Sequence, residues 1–82
     1  MKLTYEEVTV ETGSDDEDGR LVFADERLVA VLVRLAESHG PEAGFWFLEH
    51  GFNRLDNENH PKFRDLDEAE EWISRHLRKE SR

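Results

Sequence analysis

Nine residues, Gly44-Phe45-Trp46-Phe47-Leu48-Glu49-His50-Gly51-Phe52, hold four of the chain's eight aromatic side chains. The segment is glycine-bounded, short and rich in β-formers, which predicts a strand over 44–52. Phe45 and Phe47 point to one side of such a strand; Trp46, Leu48 and Phe52 point to the other. Large apolar groups on both sides require cover on both sides. The rest of the chain is therefore read as the source of that cover.

The chain supplies it within a single domain spanning 1–82. A chain of 82 residues buries only about 60–65% of its unfolded surface, so each large aromatic counts. Lys2 to Thr12 alternates, with Leu3 and Tyr5 on one parity and Val8 and Val10 on the other. This predicts a first strand near 3–12, interrupted by a bulge where the parity switches. Arg20 to Ala24 reads as a second strand. Arg27 to Ala36 allows two readings. One is a helix at about 26–39, capped by Asp25 and stopped at Gly40-Pro41, which gives a ββαβα order. The other is a hairpin turning at Asp25-Glu26 into a third strand near 27–36. Three valines among Val29, Val31 and Val33 favour the strand, as does the matching of Phe23 with Leu28, Leu21 with Ala30 and Val22 with Val29. The hairpin is the preferred reading.

The C-terminal segment predicts a helix over 66–79. Asp65 can cap it, and Glu68 follows three residues later. Leu66, Ala69, Trp72, Ile73, His76 and Leu77 share one face. Acids crowd its first turn; Arg75, Arg78 and Lys79 crowd its last, as the helix dipole favours. Trp72 and Ile73 are expected to dock near Trp46 or Phe47, and Glu80-Ser81-Arg82 to fray. The predicted fold is thus α+β: a four-stranded, mostly antiparallel β-meander with one C-terminal α-helix.

Twenty acids against eleven lysines and arginines give a net charge of −9. This balance disfavours nucleic acid and anionic membranes as partners and favours basic ones. No cysteine is present, so disulfides and thiolate metal sites are excluded. The N-terminal residues show no apolar signal region, and a cytoplasmic protein is expected. Thr12 to Gly19 is an acidic turn. Laid on a calcium-loop pattern, Ser14, Asp16, Asp18 and Gly19 fall at the first, third, fifth and sixth positions, Leu21 at the eighth and Asp25 at the twelfth. The serine at the start, the aspartate at the end and the missing preceding helix argue for a solvated turn instead. His39, His50, His60 and His76 include no local metal pair. Asp56, Glu58 and His60 alternate in a polar loop, and with His50 they define the region where a weak metal-dependent site would lie. His50 and His76 offer a second combination, with Glu49. Both read more simply as structural histidines and a polar loop. No nucleophile motif or phosphate cradle occurs, so no enzyme, cofactor or metal is expected.

Two resemblances bear on this reading. Asp15 to Arg20 before a strand is similar to the opening of MbtH-like partners of peptide synthetases. Their following Ser-Leu-Trp-Pro segment is absent, and that match is rejected. A larger part of the chain resembles a family of small uncharacterised bacterial proteins, of proteobacterial type. The matching pieces are Gly19-Arg20-Leu21-Val22-Phe23, Leu28-Val29-Ala30-Val31-Leu32, Trp46-Phe47-Leu48-Glu49, Gly51-Phe52 and Ala69 with Trp72-Ile73. The resemblance supports a strand over Leu28 to Val33 and implies no function.

One helix covers only one face of a sheet. The hairpin register puts Leu21, Phe23, Leu28, Ala30 and Leu32 on one side and Val22, Val29, Val31, Val33 and Leu35 on the other. A contact surface of Val22, Val29, Val31, Val33, Phe45 and Phe47 is therefore expected. The functional expectation is a small non-catalytic protein-interaction module that binds a protein partner or itself as a homodimer. The alternatives are an acidic mimic of nucleic acid that inhibits a basic protein, or the weak metal-dependent site near 50–60.

Overall fold

The computed structural model describes residues 2–56 and 59–78. Five strands form one antiparallel sheet in the order β1-β2-β3-β4-β5. They are β1 (Leu3–Thr9), β2 (Asp18–Ala24), β3 (Arg27–Arg34), β4 (Trp46–Gly51) and β5 (Lys62–Phe63). Short 3-10 turns at Glu37–Glu42 and Asn53–Leu55 precede β4 and follow it. The helix α1 (Leu66–Arg78) ends the described chain; Lys79 and the Glu80-Ser81-Arg82 tail lie outside the described residues.

The α+β class, the antiparallel meander and the C-terminal helix agree with the sequence reading, but the sheet has five strands rather than four. β5 has only two residues, too few for any periodicity to register. The disputed segment is strand β3, not a helix. Its hairpin turns on Asp25 and Glu26, both at positive φ (50° and 74°), as a two-residue turn between twisted strands demands.

Two bulges sort the side chains. In β3, Phe23 pairs with Leu28 but Val22 pairs with Ala30, so Val29 is the extra residue. In β4, Val31 pairs with His50 but Leu32 pairs with Leu48, so Glu49 is extra. A one-residue slip moves every following side chain to the other face. Val22 therefore joins Ala30 and Leu32, while Leu21 joins Val31; the expected Leu21–Ala30 and Val22–Val29 pairs do not form. β1 has no bulge, since its register with β2 is unbroken. Its parity change has another cause. Leu3 and Tyr5 pack on the helix side, and Val8 lies in the row of Gly19 and Val33 on the opposite face.

The core lies between sheet and helix. Val22, Ala30, Leu32, Trp46, Leu48, Leu55, Phe63, Ala69 and Ile73 form one buried cluster. Ile73 docks in the same cluster as Trp46, as expected, but Phe47 lies on the far side of β4. Trp72 meets Phe63 with ring centroids 5.5 Å apart, and His76 stacks on Trp72 at 3.9 Å. Gly51 is pressed against the Leu55 backbone, where any Cβ would collide; this close approach seats Leu55 in the core. Asp65 caps α1 by accepting the Glu68 N–H at 2.8 Å, and the Glu68 carboxylate accepts the Arg64 N–H at 2.7 Å. The return arm thus lands one residue before the cap rather than on it.

The molecule measures 42 × 21 × 21 Å. A helix of 13 residues is about 20 Å long at 1.5 Å per residue. It covers one face, and only part of the long dimension.

Candidate interaction surface

The face opposite α1 is built from three rows of residues that run across the strands. Val8, Gly19, Val33, Phe47 and Lys62 form one row; Glu6, Leu21, Val31 and His50 form the next; Thr4, Phe23 and Leu28 form the third. The first row is roofed. Val33 and Leu35 are only 1% and 4% exposed, although the helix is on the other side. Val10 and Val8 close over Gly19, where a Cβ would strike the Val10 side chain. The acidic turn lies beyond them.

That turn is fastened by Asp16. One carboxylate oxygen accepts the Ala36 N–H at 2.7 Å, and the other pairs with His39 Nε2 at 2.8 Å. The Ala36 amide is the first cause that holds the Asp16 carboxyl below the usual carboxylate range; the His39 ring and the Ser14 hydroxyl add to it, against the opposing effect of partial burial. Within the turn, Thr12 Oγ1 donates to the Asp16 carbonyl, and the Asp16 N–H donates to Ser14 Oγ. Asp18 lies in β2 and bonds Arg20 at 2.8 Å. Of the residues laid on the calcium-loop pattern, Asp16 and Asp18 thus serve as a latch and a strand ion pair. A depression of about 350 Å³ remains beside the latch, lined by Asp16, Val33, Leu35, His39, Phe47 and Lys62 among others.

The described residues leave the other two rows open, with none of their large apolar groups buried. Leu21, Phe23 and Val31 are half-buried. Beyond them Leu28 is 38% and Phe52 42% exposed, the large hydrophobics left exposed among the described residues. Phe52 was expected beside Trp46 and Leu48; after the Glu49 bulge it leaves the core and meets the His50 ring edge-on, with centroids 4.5 Å apart.

The six residues expected to form the contact surface separate accordingly. Val22 is completely buried under the helix, and Val29 packs against the same core. Val33 is buried beneath the latched turn. Phe45 precedes β4 and is half-buried, as is Phe47. Val31 keeps its place on the open face. Leu21 and Phe23, which the unbulged register assigned to the other side, join it there.

The histidines take separate places. His60 stacks on Phe47 at 5.5 Å, and its Nδ1 lies 2.9 Å from the Leu48 carbonyl. His76 Nδ1 lies 2.8 Å from the Trp72 carbonyl. Glu58 lies outside the described residues, and Asp56 is exposed. Among the described residues, no group of three or more His, Asp or Glu is arranged to hold a metal ion, and no helix is long and apolar enough to cross a membrane.

On the helix side, Arg20 lies over the Trp46 ring at 5.0 Å while pairing with Asp18, so the exposed edge of the aromatic core carries a cation. The Tyr5 hydroxyl is buried there near the Glu70 carboxylate, without a well-formed hydrogen bond. Burial first, then the nearby Glu70 carboxylate, pushes the Tyr5 phenol up to about 12. Neither a family model, nor a curated protein, nor a solved structure matches this chain.

Proposed function

We propose that this chain is a non-catalytic protein-interaction module whose contact surface is the open half of the sheet face opposite α1, and that a second copy is its simplest partner. One observation carries the reading: the rows through Leu21–Val31 and Phe23–Leu28 carry large apolar groups, none of which is buried by the described residues. Apolar surface of this kind, rimmed by polar groups, marks contact sites on small proteins.

The register supports a second copy. The central row reads Glu6, Leu21, Val31, His50 across the sheet. Two such faces, opposed about a two-fold axis parallel to the strands, reverse the row. Glu6 of one copy then lies over His50 of the other, and Leu21 lies over Val31. The surface is self-complementary in hydrogen-bonding character and in shape class, a carboxylate over an imidazole and an aliphatic group over an aliphatic group, as an isologous contact requires. The net charge of −9 opposes association, so salt should tighten the dimer.

Gel filtration with light scattering tests this directly. At several hundred micromolar protein the mass should approach twice the 9.6 kDa of the monomer, and Val31→Glu should return it to the monomer without loss of fold. A wild-type mass that stays at the monomer value in both low and high salt overturns the self-association reading.

A further inference from the structure

The open face ends at a groove where the β2–β3 hairpin, the turn after β4 and the C-terminal end of α1 meet. Leu28, Val29, Phe52 and Leu77 line its floor, and Arg27, Arg54 and Arg78 stand around it, in a cavity of about 450 Å³. The two exposed large hydrophobics, Leu28 and Phe52, are both here. Three arginines around one apolar groove are a local reversal of sign in a chain of net charge −9.

Two of the groove's arginines are not held by a carboxylate of the described residues. Arg20, Lys62, Arg64 and Arg75 each lie within 4 Å of a carboxylate. Arg27 and Arg78 hold no ion pair among the described residues. Arg54 is positioned by the fold: its Nη1 donates to the Leu77 carbonyl at 3.0 Å, which joins the turn after β4 to the end of α1. The acid in the lining is Asp25, whose side chain already accepts the Lys2 N–H at 3.0 Å.

We infer that this groove receives a short protein segment in which an apolar side chain is flanked by aspartate or glutamate. The apolar side chain seats between Leu28 and Phe52, and the flanking carboxylates take the arginine forks. The surrounding charge decides against a long polyanion. A nucleic acid would extend past the groove over the rest of a chain of net charge −9, where repulsion outweighs the contacts to Arg27 and Arg78. A short acidic segment keeps its charge within the patch. The inference deepens the interaction-module reading and rests on it.

The test uses the full chain and a fluorescent peptide with adjacent phenylalanine and leucine between pairs of aspartates. Two control peptides replace the aspartates by asparagine, or the apolar pair by alanine. Anisotropy should show saturable binding of the first peptide, weakened on the order of tenfold by either replacement and by Arg27→Glu, and weakened by salt. Phe52→Ala should weaken it comparably. Circular dichroism of each variant establishes that it is folded. Equal affinity for the asparagine peptide, indifference to Arg27→Glu, or no saturation at millimolar peptide each overturns the inference. Light scattering on the same variants separates the two readings. Arg27→Glu leaves the mass of a dimer built on Leu21 and Val31 unchanged; if it abolishes dimerisation instead, the groove is filled by a second copy and the acidic-segment assignment fails.

Discussion

The two faces of the sheet are closed by different physics. On the helix side, nine buried residues form one apolar cluster, roofed by a helix that brings its own hydrophobic stripe. The buried area is the stabilising term, and it needs no particular bond. On the other side, Val33 and Leu35 are equally buried, yet the roof is a polar, acidic turn with little apolar surface of its own. That roof stays down because one carboxylate ties it to Ala36 and His39. A large hydrophobic cover tolerates local change; a cover held by one side chain depends on that side chain. The comparison also shows why only part of the second face is open: the turn reaches the row of Val33 and stops short of the row of Val31.

Truncations inside the two roofs should differ most. Leu48→Ala, in the helix-side cluster, should cost about 3–4 kcal/mol, since a fully buried side chain leaves a cavity that helix and sheet cannot both close. Val33→Ala should cost roughly half of that, because a smaller group is lost and the turn above can settle. Denaturant melts of both variants measure the gap; equal losses would show that the turn is as rigid a roof as the helix.

Asp16→Asn should cost about 1–2 kcal/mol at neutral pH, the worth of a charged hydrogen bond in a partly buried place. The effect should be pH-dependent with a defined sign. A carboxyl held low in the folded chain stabilises fully above its unfolded value of about 4, and that stability is lost as pH falls through the lower folded value. Wild type and Asp16→Asn should therefore converge in stability on acidification. The amide signals of Val33 and Leu35 should shift in the variant at pH 7, while those of Leu48 and Ile73 stay in place.

The smallest effect concerns the buried Tyr5 hydroxyl on the helix side. Tyr5→Phe removes a buried hydroxyl that makes no well-formed hydrogen bond and lies near the Glu70 carboxylate, and should change stability by no more than about 1 kcal/mol. The phenol, raised in the folded chain to about 12, contributes its stability fully below the unfolded value near 10; this is lost as pH rises toward the folded value. The chain has one tyrosine, so tyrosinate absorbance reports this group alone. A midpoint near 10 in the folded protein would mean that Tyr5 is not beneath the helix.

The sequence showed what is local and hid what is not. The helix was legible because its cap, stripe and end charges all lie within Asp65 to Arg78. The β2–β3 hairpin was legible because Phe23 and Leu28 flank a two-residue turn. The bulges at Val29 and Glu49 were not, since an extra residue has no signature in a run of alternating valines or in a strand with aromatics on both parities. That omission placed Val22 on the wrong face and Leu21 on the wrong side of the hairpin. The Asp16 latch was hidden by distance: its partners are 20 and 23 residues away, and the four acids from Asp15 to Asp18 look alike in one dimension. Only the fold distinguishes the one that turns inward. The arginines of the groove come from three separate elements and share no spacing.

The strand order carries a further consequence, for how the chain reaches this state. Each strand pairs with its neighbours in sequence, so the sheet can grow hairpin by hairpin without closing a long loop. Loop entropy is then a small barrier, and folding should be fast for a protein dominated by sheet. The tight β2–β3 hairpin, closed by Asp25 and Glu26, is the natural first pairing. Asp16 cannot find Ala36 until β3 is in place beside β2, and α1 has no floor until β4 has added Trp46 and Leu48. The two covers should therefore come late and need different strands, so the polar turn and the helix can close in either order over the same half-built sheet.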